Sequence, residues 1–252
     1  MEGATPDSLL AFHDAGYREV RERIGSGLAL DVGCGVGDET AGLAGAERRV
    51  IGVDYSAETA AEAERSLGRP ELRFAAMDGA RLGFASGVFD EVCSSHIIEH
   101  FVAPEAHVGE LARVLADDGT AYIITPNRPA DFENPFHVYL FEPSELESLL
   151  RLFFDDVELM GLEGSAELHA DFGNRRASGE KMLRLDPLSL RTKVPRSWYV
   201  WTYEHALPVV YKALGAARTG VGSGLDASHF FLTDRVERTT PGLFAIARRP
   251  RL

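Results

Sequence analysis

The chain has 252 residues, with 26 Lys plus Arg against 39 Asp plus Glu and a formal charge of −13. That length allows one large domain or two small ones, and 45% hydrophobic with 26% charged residues is the soluble globular average, which excludes disorder as the default. So acidic a chain is not a general nucleic-acid binder, because attraction to phosphate is the main term in such binding.

Leu10, Tyr17, Val20 and Ile24 stand near helical spacing and predict a first helix from Asp7 to Ile24. Leu28 to Val32 reads as a buried strand that breaks into glycines at 33, 35 and 37, followed by a helix over about 38–45 and a strand over 50–53. Ser56 caps the next helix, which ends near Gly68 and Pro70. Glu71 to Ala75 and Phe89 to Ser94 read as strands three and four. A helix from Pro104 to Leu115 is stopped by Asp117-Asp118-Gly119, and Thr120 to Thr125 is strand five, ended by Pro126. Ser144 with Glu147 has capping-box spacing and opens a helix to about Leu152, and Asp156 to Leu162 is strand six. This alternation is the signature of a parallel α/β sheet.

After Gly164 the alternation fails. Residues 165–228 carry both tryptophans, all three lysines, Pro187, Pro195 and Pro208, and read as a helical cap inserted into a single domain. Leu243 to Ala247 then reads as a closing strand paired near 156–162. The charge divides the same way: residues 1–165 hold 12 basic and 31 acidic side chains, residues 166–252 hold 14 and 8. Cys34 and Cys93 cannot build a disulfide framework, which suits a reducing compartment. The start Met1-Glu2-Gly3-Ala4 lacks the features of a signal peptide, and no apolar run nears the ~18 residues that span a bilayer. The expectation is a soluble, cytoplasmic protein without a transmembrane segment.

The most informative segment is Leu28-Ala-Leu-Asp-Val-Gly-Cys-Gly-Val-Gly37. A dinucleotide fold places G-x-G-x-x-G here, so that pyrophosphate meets a helix N-terminus. This loop is G-x-G-x-G with Asp31 two residues before the first glycine. A carboxylate there repels pyrophosphate and can hold an ammonium, directly or through water, which suits an amino-acid-bearing nucleoside and disfavours an NAD-dependent oxidoreductase. Asp54 ends strand two, where a carboxylate can take both hydroxyls of a ribose. Asp78 follows strand three, where it can accept from an adenine amino group. Taken singly, Asp54 also reads as a helix cap and Asp78 as a turn residue; their joint occurrence in order makes the nucleoside reading the stronger.

With Phe89-Asp90, Arg113 to Gly119 and Thr125-Pro126-Asn127, these motifs resemble the class I S-adenosylmethionine-dependent methyltransferases, in the type 11-like group acting mostly on small molecules. The resemblance covers residues 28–165 and resumes at the last strand. It implies a Rossmann-like, mostly parallel seven-stranded sheet whose antiparallel last strand lies beside strand five. It assigns Asp31, Gly33 and Gly35 to the methionine part of the cofactor, Asp54 to the ribose and Asp78 to the adenine, with Tyr17 closing over it. Cys34, Gly37, Tyr55, Gly79, Ala80 and Ser95 complete the expected contact set. Asp117-Asp118-Gly119 departs from the family's usual Pro-Gly-Gly, which concerns the turn and not the site.

Methyl transfer from a sulfonium is an in-line displacement that needs mostly alignment, with a general base when the acceptor is a hydroxyl. His96 and His137, both placed at the carboxyl edge of the sheet, are the candidates for base or acceptor ligand, with His100 behind them. His96, Glu99, His100 and His137 also make a conceivable metal set, similar to that of small-RNA 2′-O-methyltransferases, although Glu-His after strand four recurs in the family without metal; no metal is expected. His13, His107, His169, His205 and His229 read as surface or cap residues. In the cap, Arg175, Arg176, Lys181, Arg184, Arg191, Lys193 and Arg196 precede Trp198 to Tyr203. Such basic and aromatic groups suit a small-molecule acceptor that is anionic or glycosylated, or equally pair with carboxylates of the body. The expected activity is O-methylation of a sugar, glycan-linked or natural-product hydroxyl. The rivals are a small-RNA ribose methyltransferase and a non-catalytic cofactor-binding regulator.

Overall fold

The structure, a computed structural model, describes residues 7–130, 137–183 and 224–251, with side chains of the second stretch described to Asn174. Apolar runs build eight strands: β1 Gly27–Val32, β2 Arg48–Asp54, β3 Leu72–Ala76, β4 Phe89–Ser95, β5 Leu115–Pro126, β6 Phe154–Gly164, β7 Phe230–Thr233 and β8 Gly242–Pro250. The helices are α1 Asp7–Arg23, α2 Asp38–Ala41, α3 Ala57–Leu67, α4 Pro104–Val114, α5 Pro143–Leu150 and α6 Ala166–Leu183. The strands form a single sheet in the order β3-β2-β1-β4-β5-β8-β6-β7. β1 to β5 run parallel, whereas β8 is antiparallel to both β5 and β6. The fold is the Rossmann-like, mostly parallel sheet implied by the motifs, and β8 pairs as expected with residues 156–162.

Side chains alternate across each strand. Leu30 and Val32 of β1 therefore join the apolar cluster under α4 and α5, and Ala29 joins the cluster under α1. Asp31 shares the face of Ala29. This alternation points a carboxylate at α1, and that placement shapes the site.

Four local expectations are corrected. β7, an eighth strand, pairs with β6 at the sheet edge and was not anticipated. α4 ends at Val114, not Leu115, because Leu115 is already extended; β5 continues through Asp117-Asp118-Gly119 as a bulge, with Phe89 opposite Leu115 and Glu91 opposite Thr120. α2 is a single turn ended at Gly42. The capping box of α5 is made by Glu142 and Glu145, whose carboxylate accepts the Glu142 N–H at 2.9 Å; Pro143 holds the first helical position, so Ser144 lies too deep to cap.

α6 opens the stretch expected to form the cap; Arg184, Arg191, Lys193, Arg196, Trp198 to Tyr203 and His205 lie outside the described residues. The stretch begins and ends at one place, because Gly164 sits opposite Phe230 and the Ser165 N–H donates to the His229 carbonyl at 2.8 Å. Among the described residues no helix is long and apolar enough to cross a membrane.

Candidate active site

Because β1 to β5 are parallel, their carboxyl ends share one edge, where ligands bind in open α/β sheets. The glycine loop leaves β1 there. Gly33 and Cys34 both donate N–H to the Val53 carbonyl, at 2.7 and 3.1 Å, which folds the loop over β2. Gly33 has φ 85° and Gly35 φ 54°, both in the left-handed region that favours glycine. A Cβ on Gly33 would stand 2.5 Å from Ile97 Cδ1, whereas one on Gly35 would meet nothing within 4 Å. The loop is thus packed on one side and open on the other. The buried Cys34 thiol is pushed up in pKa by burial and by Asp31 and Asp54, so it is inert.

Asp54 ties the loop to the next helix. Its Oδ2 accepts the Gly35 N–H at 3.0 Å and its Oδ1 the Ser56 N–H at 2.8 Å, while Ser56 caps α3. Each oxygen keeps a second lone pair for an outside hydroxyl. The helix-cap and ribose readings of Asp54 are therefore compatible. Tyr55 beside it is 82% exposed.

Asp31 is fully buried. Thr40 donates to its Oδ2 at 2.5 Å, and the Tyr17 hydroxyl lies 3.1 and 3.2 Å from its two oxygens. Burial pushes the carboxyl up to about 6, against the lowering effect of the Thr40, Tyr17 and Cys93 hydrogen bonds. Burial, and then the charge of Asp31, holds the Tyr17 hydroxyl far above its usual range. Tyr17 therefore covers Asp31 from α1. Tyr17→Phe removes a donor to a buried carboxylate and is expected to lower stability by about 1–3 kcal/mol, read from the urea midpoint.

Asp78 makes a turn after β3, accepting the Ala80 N–H at 2.9 Å with Oδ1. The Gly79 carbonyl meets His107 Nδ1 at 2.8 Å, and His107 Nε2 meets Ser94 Oγ at 2.8 Å. His107 is fully buried, stacked on Phe101 and pushed down to about 4 by burial. It is a buried strut under the Asp78 turn, not the surface residue expected.

The segment after β4 gathers the histidines. Ile97 packs on Gly33, which lays this segment along the glycine loop. His96 has φ 54°, an uncommon value for a residue with a side chain, and its N–H donates to the Ile124 carbonyl at 2.8 Å. Its side chain is 5% exposed, and its Nε2 has no hydrogen-bond partner, as is also true of the neighbouring Ser95 Oγ. Burial, then His13, His137 and His100, push its pKa well down. His13 stacks on the His96 ring at 4.0 Å. Its ring turns toward His96, yet the residue stays exposed, as the surface reading expected. Its position one turn before Tyr17 on α1 was the available signal for that contact. Glu99, His100 and His137 also come together: the two rings are 5.4 Å apart, and Glu99 accepts the Thr125 hydroxyl at 3.0 Å. His169 and His229 instead face Glu163 and Asp226, away from this cluster.

A glycine loop open above Gly35, with carboxylates at the ends of β1 and β2, is the arrangement of a methyltransferase-type nucleoside site, and these residues fit such a cofactor. A family model described as "Methyltransferase domain" matches residues 30–123. The chain is 32% identical over 171 residues to a protein of Mycolicibacterium smegmatis named "Probable S-adenosylmethionine-dependent methyltransferase". That alignment covers 64% of this chain and 66% of the relative, just under two thirds of its length. Among solved structures, a SAM-dependent methyltransferase of Thermotoga maritima superposes with TM-score 0.60 at 12% identity, over 96% of this chain and 91% of that one. The [4+2]-cyclase SpnF superposes with TM-score 0.58 at 18% identity, over 94% and 81%. These matches support a class I S-adenosylmethionine-dependent methyltransferase, with S-adenosylmethionine as the cofactor. The likeness to a cyclase shows that this fold alone does not name a reaction.

Proposed function

We propose that the chain transfers the methyl group of S-adenosylmethionine to a small-molecule acceptor, with a hydroxyl of a sugar, a glycan-linked intermediate or a natural product favoured. The observation that supports this is the pair of buried polar atoms without partners, His96 Nε2 and Ser95 Oγ, at the carboxyl end of β4 beside the glycine loop. Buried polar atoms are almost always satisfied, and two orphans at one strand end are explained by a ligand that completes them.

When bound, the cofactor supplies a methyl group on a sulfonium, which departs as a neutral thioether. The protein's own work is placement. Asp54 accepts the ribose hydroxyls, Asp78 faces the adenine, and Asp31 under Tyr17 faces the ammonium. His96 Nε2 accepts the acceptor's proton, and Ser95 Oγ orients its oxygen. The basic excess of residues 166–252 favours an anionic or glycosylated acceptor.

Calorimetry tests the reading. S-adenosylhomocysteine is expected to bind and NAD is not; binding of NAD without S-adenosylhomocysteine would sink it. Asp31 must be ionised to face an ammonium, and its carboxyl sits at about 6. Affinity is therefore expected to rise with pH, by about tenfold per unit below that value, and to level off above it. Asp31→Asn should flatten the profile.

A further inference from the structure

We infer that a cleft on the sheet face beyond the end of α1 binds a small zwitterion, an amino acid with an apolar side chain. The cleft has a volume of about 450 Å³, within the range of small-molecule sites. The strand ladders build its floor in two rows. Thr120 stands opposite Glu91 on one side and Arg248 on the other, and Ile246 stands between Tyr122 and Glu158. Tyr122, Met160 and Ile246 share an apolar cluster with Tyr17 and Val20, so these rows lie on the α1 face of the sheet. α1 stops at Arg23, and Arg23 with Gly25 forms the wall. Glu91 lies four residues before Ser95 on β4, roughly 13 Å from the cofactor edge. The cleft is therefore separate from the candidate active site.

Each end of the floor carries a charge with bonding capacity to spare. Glu91 Oε1 accepts the Gly25 N–H at 3.0 Å, while its buried Oε2 has no hydrogen-bond partner. Such an oxygen is completed by an N–H donor, most strongly by an ammonium. At the other end, Arg248 reaches Asp156 at 3.4 Å and Glu158 at 3.9 Å, both longer than a close charge-assisted pair. Its guanidinium keeps donors for a carboxylate. Arg23, by contrast, is committed to Glu19 at 2.8 Å.

The Tyr122 hydroxyl lies among these charges: burial and then Glu91 raise its pKa, while Arg248 and Arg23 act against the rise. Glu91 and Arg248 stand two strands apart, about 10 Å between Cα atoms. An ammonium and a carboxylate on one carbon bridge that span with one hydrogen bond to each side chain. Tyr122, Met160 and Ile246 then offer the apolar surface for the ligand's side chain. This inference does not rest on the methyl-transfer reading.

The test titrates the full chain with L-phenylalanine by calorimetry, with and without S-adenosylhomocysteine. One saturable site with Kd of about 1 mM or tighter is expected, unaffected by S-adenosylhomocysteine. Phenethylamine and 3-phenylpropanoate, which each lack one charge, should bind at least ~10-fold more weakly. Glu91→Gln keeps an oxygen for the Gly25 N–H, and it and Arg248→Met should each weaken L-phenylalanine by ~10-fold or more. Both variants should keep the parent's circular dichroism spectrum, which shows that they are folded; if Glu91→Gln does not, Arg248→Met decides alone. Absence of saturable binding by the parent, or parent-like binding by a folded variant, overturns the site. Equal binding of either singly charged analogue removes the zwitterion. Competition with S-adenosylhomocysteine places the amino acid at the cofactor edge and overturns the cleft. If L-phenylalanine binds and S-adenosylhomocysteine does not, the cleft stands and the methyl-transfer reading fails.

Discussion

Asp54→Ala is expected to weaken binding of S-adenosylhomocysteine by at least ~10²-fold, measured by calorimetry near neutral pH. Two hydrogen bonds from hydroxyls to a carboxylate contribute about 1.5–3 kcal/mol each, so their loss alone reaches that size. The same substitution frees the Gly35 and Ser56 N–H groups, which Asp54 holds at 3.0 and 2.8 Å, and so loosens the loop that the ligand meets. Asp54→Asn separates the two effects. Its amide oxygen can still accept one backbone N–H, while its NH2 group turns a donor toward the loop or the ribose, so an intermediate loss is expected. Unchanged affinity in the alanine variant would remove the ribose from Asp54.

His96→Asn is expected to lower kcat by ~10²-fold or more with S-adenosylhomocysteine affinity within about threefold of the parent. Asparagine is the suitable replacement because the backbone at 96 has φ 54°, which Asn tolerates better than Ala. A loss in KM without a loss in kcat would make His96 an acceptor-binding residue instead of a base. Unchanged kcat and KM would leave alignment by the glycine loop and the carboxylates as the whole contribution of the protein.

The placement of the residues that the resemblance assigns to the cofactor was legible in the sequence because it is local. Asp31, the glycines, Asp54 and Asp78 each sit at the end of a strand, and the parallel sheet places those ends together without further information. The pairing of β8 with residues 156–162 was likewise carried by its apolar run. The acceptor half depends on contacts between distant segments. His13 reaches His96 only because α1 packs over the end of β4, and His107 is a buried strut only because α4 turns it toward Gly79 and Ser94. A buried histidine on a helix, such as His107, has no local mark of its burial. β7 escaped notice for another reason: four residues, Phe230 to Thr233, are too few to show a period. The Asp117-Asp118-Gly119 bulge resembles a turn, and only the ladder to β4 shows that the strand passes through it.

The closed neck at Gly164, Ser165, His229 and Phe230 bears on how this family can diversify. The polypeptide leaves the sheet and re-enters it at adjacent, hydrogen-bonded positions, so the entropy of bringing the ends together is met by the sheet itself. Lengthening, shortening or exchanging what lies between them leaves the β6 to β8 ladder and the cofactor edge in register. Selection can therefore change the stretch between these positions without disturbing the strands that carry Asp31, Asp54 and the glycine loop.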